Sequence, residues 1–142
     1  MNRARVLIAD DHAFVREGLL NLLRHKFEVV GAVADGHLLV DAAIELRPDV
    51  IVTDISMPGL SGIEAFERLK AAGSEAKVIV LTLHTDAELA AKLIRLGVSG
   101  FVMKLLAAGE LVGAIEQVLL GHSYVSPSLA MDGAAEKRGS RD

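Results

Sequence analysis

Five short apolar runs, each followed by an amphipathic stretch, limit most strongly what this chain can fold into. The runs are RVLIA (5–9), EVVGAVA (28–34), VIVTD (50–54), KVIVLT (77–82) and GFVMK (100–104). Three of them are nearly continuous Val, Ile and Leu, the pattern of strands covered on both faces. Between the runs the apolar period changes. Val15, Leu19, Leu22 and Leu23 in 12–26 fall at i, i+4, i+7 and i+8, as do Leu111, Ile115, Val118 and Leu119 in 107–120. That spacing makes one stripe along a helix. Residues 36–46, 62–72 and 86–96 carry shorter stripes and read as helices too. SGIE (61–64) and TDAE (85–88) have the capping-box form. Gly73, Gly97 and Gly121 stand where a helix end favours glycine, and Pro48 separates the second helix from the third strand. Five βα units in succession require a parallel sheet with right-handed crossovers and helices on both faces. The expected class is α/β, a doubly wound five-stranded sheet of order 2-1-3-4-5 with five helices.

The pattern lasts to about Gly121. Residues 1–121 are expected to form one domain, and 142 residues leave no room for a second core. Residues 122–142 are small, polar and balanced in charge, which reads as a linker or tail with no output domain after it. A net charge of −4, a single Tyr, no Trp and no long basic cluster argue against nucleic acid bound by this chain itself. With no Cys there is no disulfide, thiolate zinc site or cysteine nucleophile. The basic N-terminus meets two acids too soon for a signal peptide, and no apolar stretch is long enough to cross a bilayer. A cytoplasmic protein without a membrane partner is expected.

The acids sit at the strand tips. Asp10 and Asp11 end the first strand, and Asp54 ends the third. In order 2-1-3-4-5 these strands are neighbours at the switch point, where ligands bind beyond the carboxyl ends. Thr82 ends the fourth strand and Lys104 the fifth. Like charges about 4 Å apart cost roughly 4 kcal/mol per pair at an effective dielectric near 20. Three converging carboxylates must therefore take up protons or hold a cation, and hard oxygen ligands suit Mg²⁺ or Mn²⁺. An aspartate beside such a metal can attack phosphorus and form an acyl phosphate. The charge on the transferred oxygens then has to be neutralised. The metal, Lys104, the Thr82 hydroxyl and backbone N–H groups in the turn after Asp54, shaped by Pro58 and Gly59, are the candidates.

These residues, taken with the D-x-x-M-P-x-x-x-G motif of Asp54 to Gly62 and an aromatic three residues before Lys104, resemble the receiver domain of bacterial two-component response regulators. DDHAFVREGLLNLL (10–23), LTLHTD (81–86) and GHSYVSPSLA (121–130) resemble the subfamily that usually carries a C-terminal LuxR-type helix-turn-helix. The resemblance implies a flavodoxin-like fold and a regulatory phosphoacceptor rather than an enzyme in the ordinary sense. It implies Asp54 as the phosphoacceptor and a metal site of Asp10, Asp11, Asp54 and the Ser56 carbonyl. Lys104 becomes the phosphate clamp, and Thr82 with Phe101 the switch pair. The implied partners are a sensor histidine kinase and, on phosphorylation, a second copy of the chain. DNA is expected only through an output domain that this chain lacks. Many receivers have a cis proline after the clamp lysine; Leu105 stands here, and a cis bond before a non-proline residue costs about 3 kcal/mol, so a trans bond is expected.

Simpler roles compete at single positions. Phe101 fits a core aromatic as well as a switch, and His84 fits a solvated loop residue. The other His show no metal-ligand spacing. An aspartyl phosphatase on the same sheet would show Asp-x-Asp, whereas Ser56 holds the second position. GLSG (59–62) fails the G-x-S-x-G elbow because Ile63 follows, and Ser61 is better read as a helix cap. The remaining rival is a phosphate-independent binding or dimerisation module on this fold.

Overall fold

A computed structural model describes residues 3–83 and 87–127. Strands β1 (Arg5–Ala9), β2 (Glu28–Val33), β3 (Val50–Asp54), β4 (Lys77–Thr82), β5 (Gly100–Met103) and β6 (Tyr124–Val125) form one sheet of order β2-β1-β3-β4-β5-β6. Every pairing is parallel. The helices between them are α1 (Ala13–Leu23), α2 (Gly36–Leu46), α3 (Gly62–Ala71), α4 (Ala87–Leu96) and α5 (Ala107–Leu119), with a 3₁₀ turn at Lys104–Leu106. Among the described residues no helix is long and apolar enough to cross a membrane.

The strands alternate their side chains between two cores, as the two-residue period requires. Leu7, Ile51, Val78, Val80 and Phe101 face α2, α3 and α4, where Leu39, Phe66, Leu69 and Leu93 meet them. Val6, Ile8, Val50, Val52, Ile79 and Leu81 face α1 and α5, against Leu19, Leu23, Leu111, Ile115 and Val118. Each fully buried aliphatic side chain is worth about 1.5–3 kcal/mol, against about 0–1 for a surface ion pair. Apolar packing, not surface charge, therefore fixes the register that carries the acids.

The caps follow local chemistry. Ser61 and Glu64 complete the capping box of α3 in both directions. Asp35 caps α2 by accepting from the Leu38 N–H. Gly73, Gly97 and Gly121 take the left-handed conformation that ends a helix, with φ of 83°, 112° and 91°. The start of α4 before Ala87, including the expected Thr85 cap, lies outside the described residues, as does His84.

The sheet has six strands rather than five. The sixth lies in the stretch expected to be tail. Tyr124 N–H donates to the Ser99 carbonyl and Ser126 N–H to the Phe101 carbonyl, both at 2.9 Å, which extends the ladder beyond β5. Two residues carry no periodicity of their own, so only the exposed edge of β5 makes a strand there. Pro127 has no N–H to carry the ladder further. Residues 128–142 lie outside the described residues.

Candidate functional site

The site lies at the carboxyl ends of β1, β3, β4 and β5. β3 is buried along its whole length, so Asp54 stands on a rigid post. Its turn is built by close approach. Gly62 N–H donates to the Ile55 carbonyl at 2.8 Å, and a Cβ at position 62 would collide with the Asp54 carbonyl oxygen. The last glycine of the motif is thus a steric requirement. Gly59 supplies a left-handed turn at φ 76°.

Asp10 is fully buried just after β1, and Asp54 is 7 % exposed. Carboxylate oxygens of Asp10, Asp11 and Asp54 and a ring nitrogen of His12 all lie within 4.8 Å of one another. Lys104, at the end of β5, reaches back with Nζ at 3.1 Å from Asp54 Oδ2 and 2.9 Å from Asp10 Oδ2. His12 Nδ1 stands 3.2 Å from Asp11 Oδ1 and 3.4 Å from Asp10 Oδ1. The His12 backbone N–H donates to Asp10 Oδ1 at 2.9 Å, and Arg16 Nη1 donates to the Asp10 carbonyl at 2.7 Å. Thr82 is buried at the end of β4, one residue beyond Leu81, the register partner of Asp54, and pairs with Met103.

The electrostatics are unbalanced. Three carboxylates face one ammonium, and the two excess negative charges match one divalent cation. Burial pushes the Asp54 carboxyl above its ordinary range; Lys104 opposes the shift, while Asp10 and Asp11 add to it. Burial by itself would pull the Lys104 ammonium down, but its contacts with Asp10 and Asp54 outweigh that and raise it. The lysine is thus held charged, yet it does not suffice for the acids. Asp10 Oδ2 and Asp11 Oδ1 are buried and accept no hydrogen bond, although Lys104 and His12 stand within ion-pair distance. Orphaned hard oxygens beside a third carboxylate are the donor set that Mg²⁺ or Mn²⁺ takes.

Asp10, Asp11, Asp54 and Lys104 are therefore brought into contact from three strand ends, with Thr82 on the strand between. Ser56 lies in the exposed turn two residues past Asp54. Phe101 is set apart, wholly buried in the core against α3 and α4. Leu105 follows Lys104 through a trans bond; among the described residues there is no cis peptide. Sequence reasoning missed His12, set aside for want of ligand spacing. Its adjacency to the acidic pair at the N-terminus of α1 was the available signal.

A doubly wound sheet that gathers three aspartates and a lysine at its switch point has the architecture of a signalling receiver, and the chain belongs to the response regulator receiver domain family, whose profile matches residues 6–116. Its relatives place it in the LuxR-type subfamily. It is 36% identical over 128 residues to the response regulator GacA of Pseudomonas aeruginosa, covering 89% of this chain and 60% of that protein. It is 35% identical over 130 residues to the transcriptional regulatory protein DegU of Brevibacillus brevis, covering 90% and 55%. The chain thus spans little more than half the length of these curated relatives. Among solved structures, a LuxR-family two-component response regulator from Aurantimonas sp. superposes with a TM-score of 0.88 at 36% identity, over 96% of this chain and 99% of that one. The isolated REC domain of RcsB from Salmonella enterica serovar Typhimurium, solved with the phosphomimetic BeF₃⁻, gives 0.83 at 29% identity, over 92% and 98%.

Proposed function

We propose that this chain is a phosphorylation-controlled switch in which Asp54 accepts a phosphoryl group from a phosphohistidine on a sensor kinase. The convergence of Asp10, Asp11, Asp54 and Lys104 in one crevice carries the reading. An Asp54 oxygen bonds to phosphorus as the bond from phosphorus to the donor imidazole breaks, and the imidazole keeps that electron pair. Asp10, Asp11, Asp54 and the Ser56 carbonyl would hold Mg²⁺ or Mn²⁺, which neutralises charge on the transferred oxygens when bound. Lys104, already on Asp54, takes a second oxygen. The Thr82 hydroxyl takes a third and moves toward Asp54 as it does so. Phe101 fills the space that Thr82 leaves; in this reading its fully buried ring is the inward setting.

The surface of α4, β5 and α5 then changes, and phosphorylation favours one of two pre-existing states. Binding of a second copy, through that surface or through α1 and α5, is the expected consequence. An output domain beyond this chain would carry any contact with DNA. RcsB, a structural neighbour, has been solved in complex with DNA.

The test is mass spectrometry after incubation with Mg²⁺ and a small phosphodonor. Wild type gains one phosphate and Asp54→Asn gains none. Equal labelling of both variants would remove Asp54 from the reading. No labelling, together with amide spectra unmoved by beryllofluoride, would favour the phosphate-independent module instead.

A further inference from the structure

Lys104 depends on the backbone that presents it, and that backbone is held by the chain beyond α5. The last N–H of β5, that of Met103, donates to Ser126 Oγ at 2.9 Å. The Ser126 hydroxyl donates onward to Glu110 Oε1 at 2.8 Å, and the Tyr124 hydroxyl donates to the same oxygen at 2.9 Å. Glu110 lies in the first turn of α5, four residues after the end of the 3₁₀ turn that begins at Lys104. Ser126 is fully buried, and its own N–H is fixed on the Phe101 carbonyl.

Only a hydroxyl can accept from the strand and donate to the carboxylate at one point. Burial, and then Glu110, push the Tyr124 phenol up to about 12, so it remains a donor throughout the neutral range. The network closes a ring from β5 through β6 to α5, and Lys104 lies on the segment that the ring spans.

We propose that Ser126, oriented by Glu110, is a positioning residue for Lys104, so that the segment leaving the last helix belongs to the machinery that grips the phosphoryl group. The proposal rests on the reading of Lys104 as the phosphate clamp. Lys104 must hold one ammonium between two carboxylates and a phosphoryl oxygen, and a shift in its backbone moves that ammonium directly. Asp10 and Asp11 stand on the loop after β1, with β3 and β4 between it and β5, outside the ring. Loosening the ring should therefore weaken affinity for a phosphoryl mimic without weakening affinity for the metal, since Lys104 competes with a cation for Asp10 and Asp54.

The experiment titrates the full chain with Mn²⁺ alone, then with beryllofluoride at saturating Mg²⁺, followed by amide spectra. Ser126→Ala should bind beryllofluoride about 5- to 10-fold more weakly than wild type, the size of coupling usual for residues in one network, with Mn²⁺ affinity undiminished. In a Lys104→Ala background, Ser126→Ala should add no further loss. Should Ser126→Ala fail to fold, Glu110→Leu carries the same test, and Glu110→Gln, which keeps an acceptor for the serine, should recover most of what Glu110→Leu loses. Equal beryllofluoride binding by wild type and Ser126→Ala overturns the inference alone. So does an undiminished Ser126→Ala effect without Lys104, which would mark general damage. A wild-type chain that ignores beryllofluoride overturns the clamp reading and the inference with it.

Discussion

At the N-terminal ends of β1 and β3, Arg5 and Asp49 meet near solvent. The Arg5 N–H donates to Asp49 Oδ2 at 2.8 Å, and its guanidinium donates to the Leu46 carbonyl at 2.6 Å and ion-pairs with Glu28 at 3.3 Å. At the C-terminal ends of the same two strands, Asp10, Asp11 and Asp54 crowd together, and two of their buried oxygens accept no hydrogen bond. Both edges are held by the same sheet and the same two cores. The difference is that one edge spreads its charges over partly exposed partners, and the other crowds three carboxylates round one lysine in a buried crevice. An incomplete charge set on a rigid frame marks where chemistry is done.

The largest break in this contrast is Asp54→Asn, which should abolish phosphate incorporation seen by mass while substitutions at the Arg5 edge leave it intact. Lys104→Ala comes next. Losing a positioned charge at a transferring group slows labelling about 100-fold by comparison with similar losses elsewhere. The same substitution should tighten Mn²⁺ binding, because an ammonium that competes for Asp10 and Asp54 is gone; weaker binding would show Lys104 to be part of the metal site. Third, Asp54→Asn should melt higher than wild type in metal-free buffer at neutral pH. The folded chain holds the Asp54 proton more tightly than the unfolded one, so stability falls as pH rises from the ordinary value of 3.8 toward the raised one, and that penalty persists above it. Added Mg²⁺ should shrink the gap.

At the paired edge, Arg5→Ala should cost about 1 kcal/mol in chemical denaturation, since the side chain is partly exposed and solvent screens it. The smallest effect belongs to Tyr124. Its neutral form is favoured in the fold, so stability is intact below pH 10, the ordinary phenol value, and falls as pH rises toward about 12. Tyr124→Phe should lack that part of the alkaline loss, read as the difference between the two melting curves.

The order of five strands and five helices was legible because buried parallel strands and amphipathic helices write different periods, and VIVTD and KVIVLT became strands with the limits expected. The acids were legible because the switch point of this topology brings the ends of the first and third strands together whatever lies between. What escaped were features made by neighbours. Tyr124–Val125 is a strand only because β5 offers an edge. His12, next to the acids in sequence, was passed over because a single histidine shows no ligand spacing. Phe101 is packed in the core, one of the two roles its sequence position left open.

The short β6 also guards against association. A protein cut after Gly121 would bare the outer margin of β5, a flat apolar ribbon with open donors and acceptors that invites edge-to-edge polymerisation. Covering it with two residues, followed by a proline, leaves too little ladder for a stranger to copy. Shortening the protein at that point should raise its tendency to self-associate as its concentration rises.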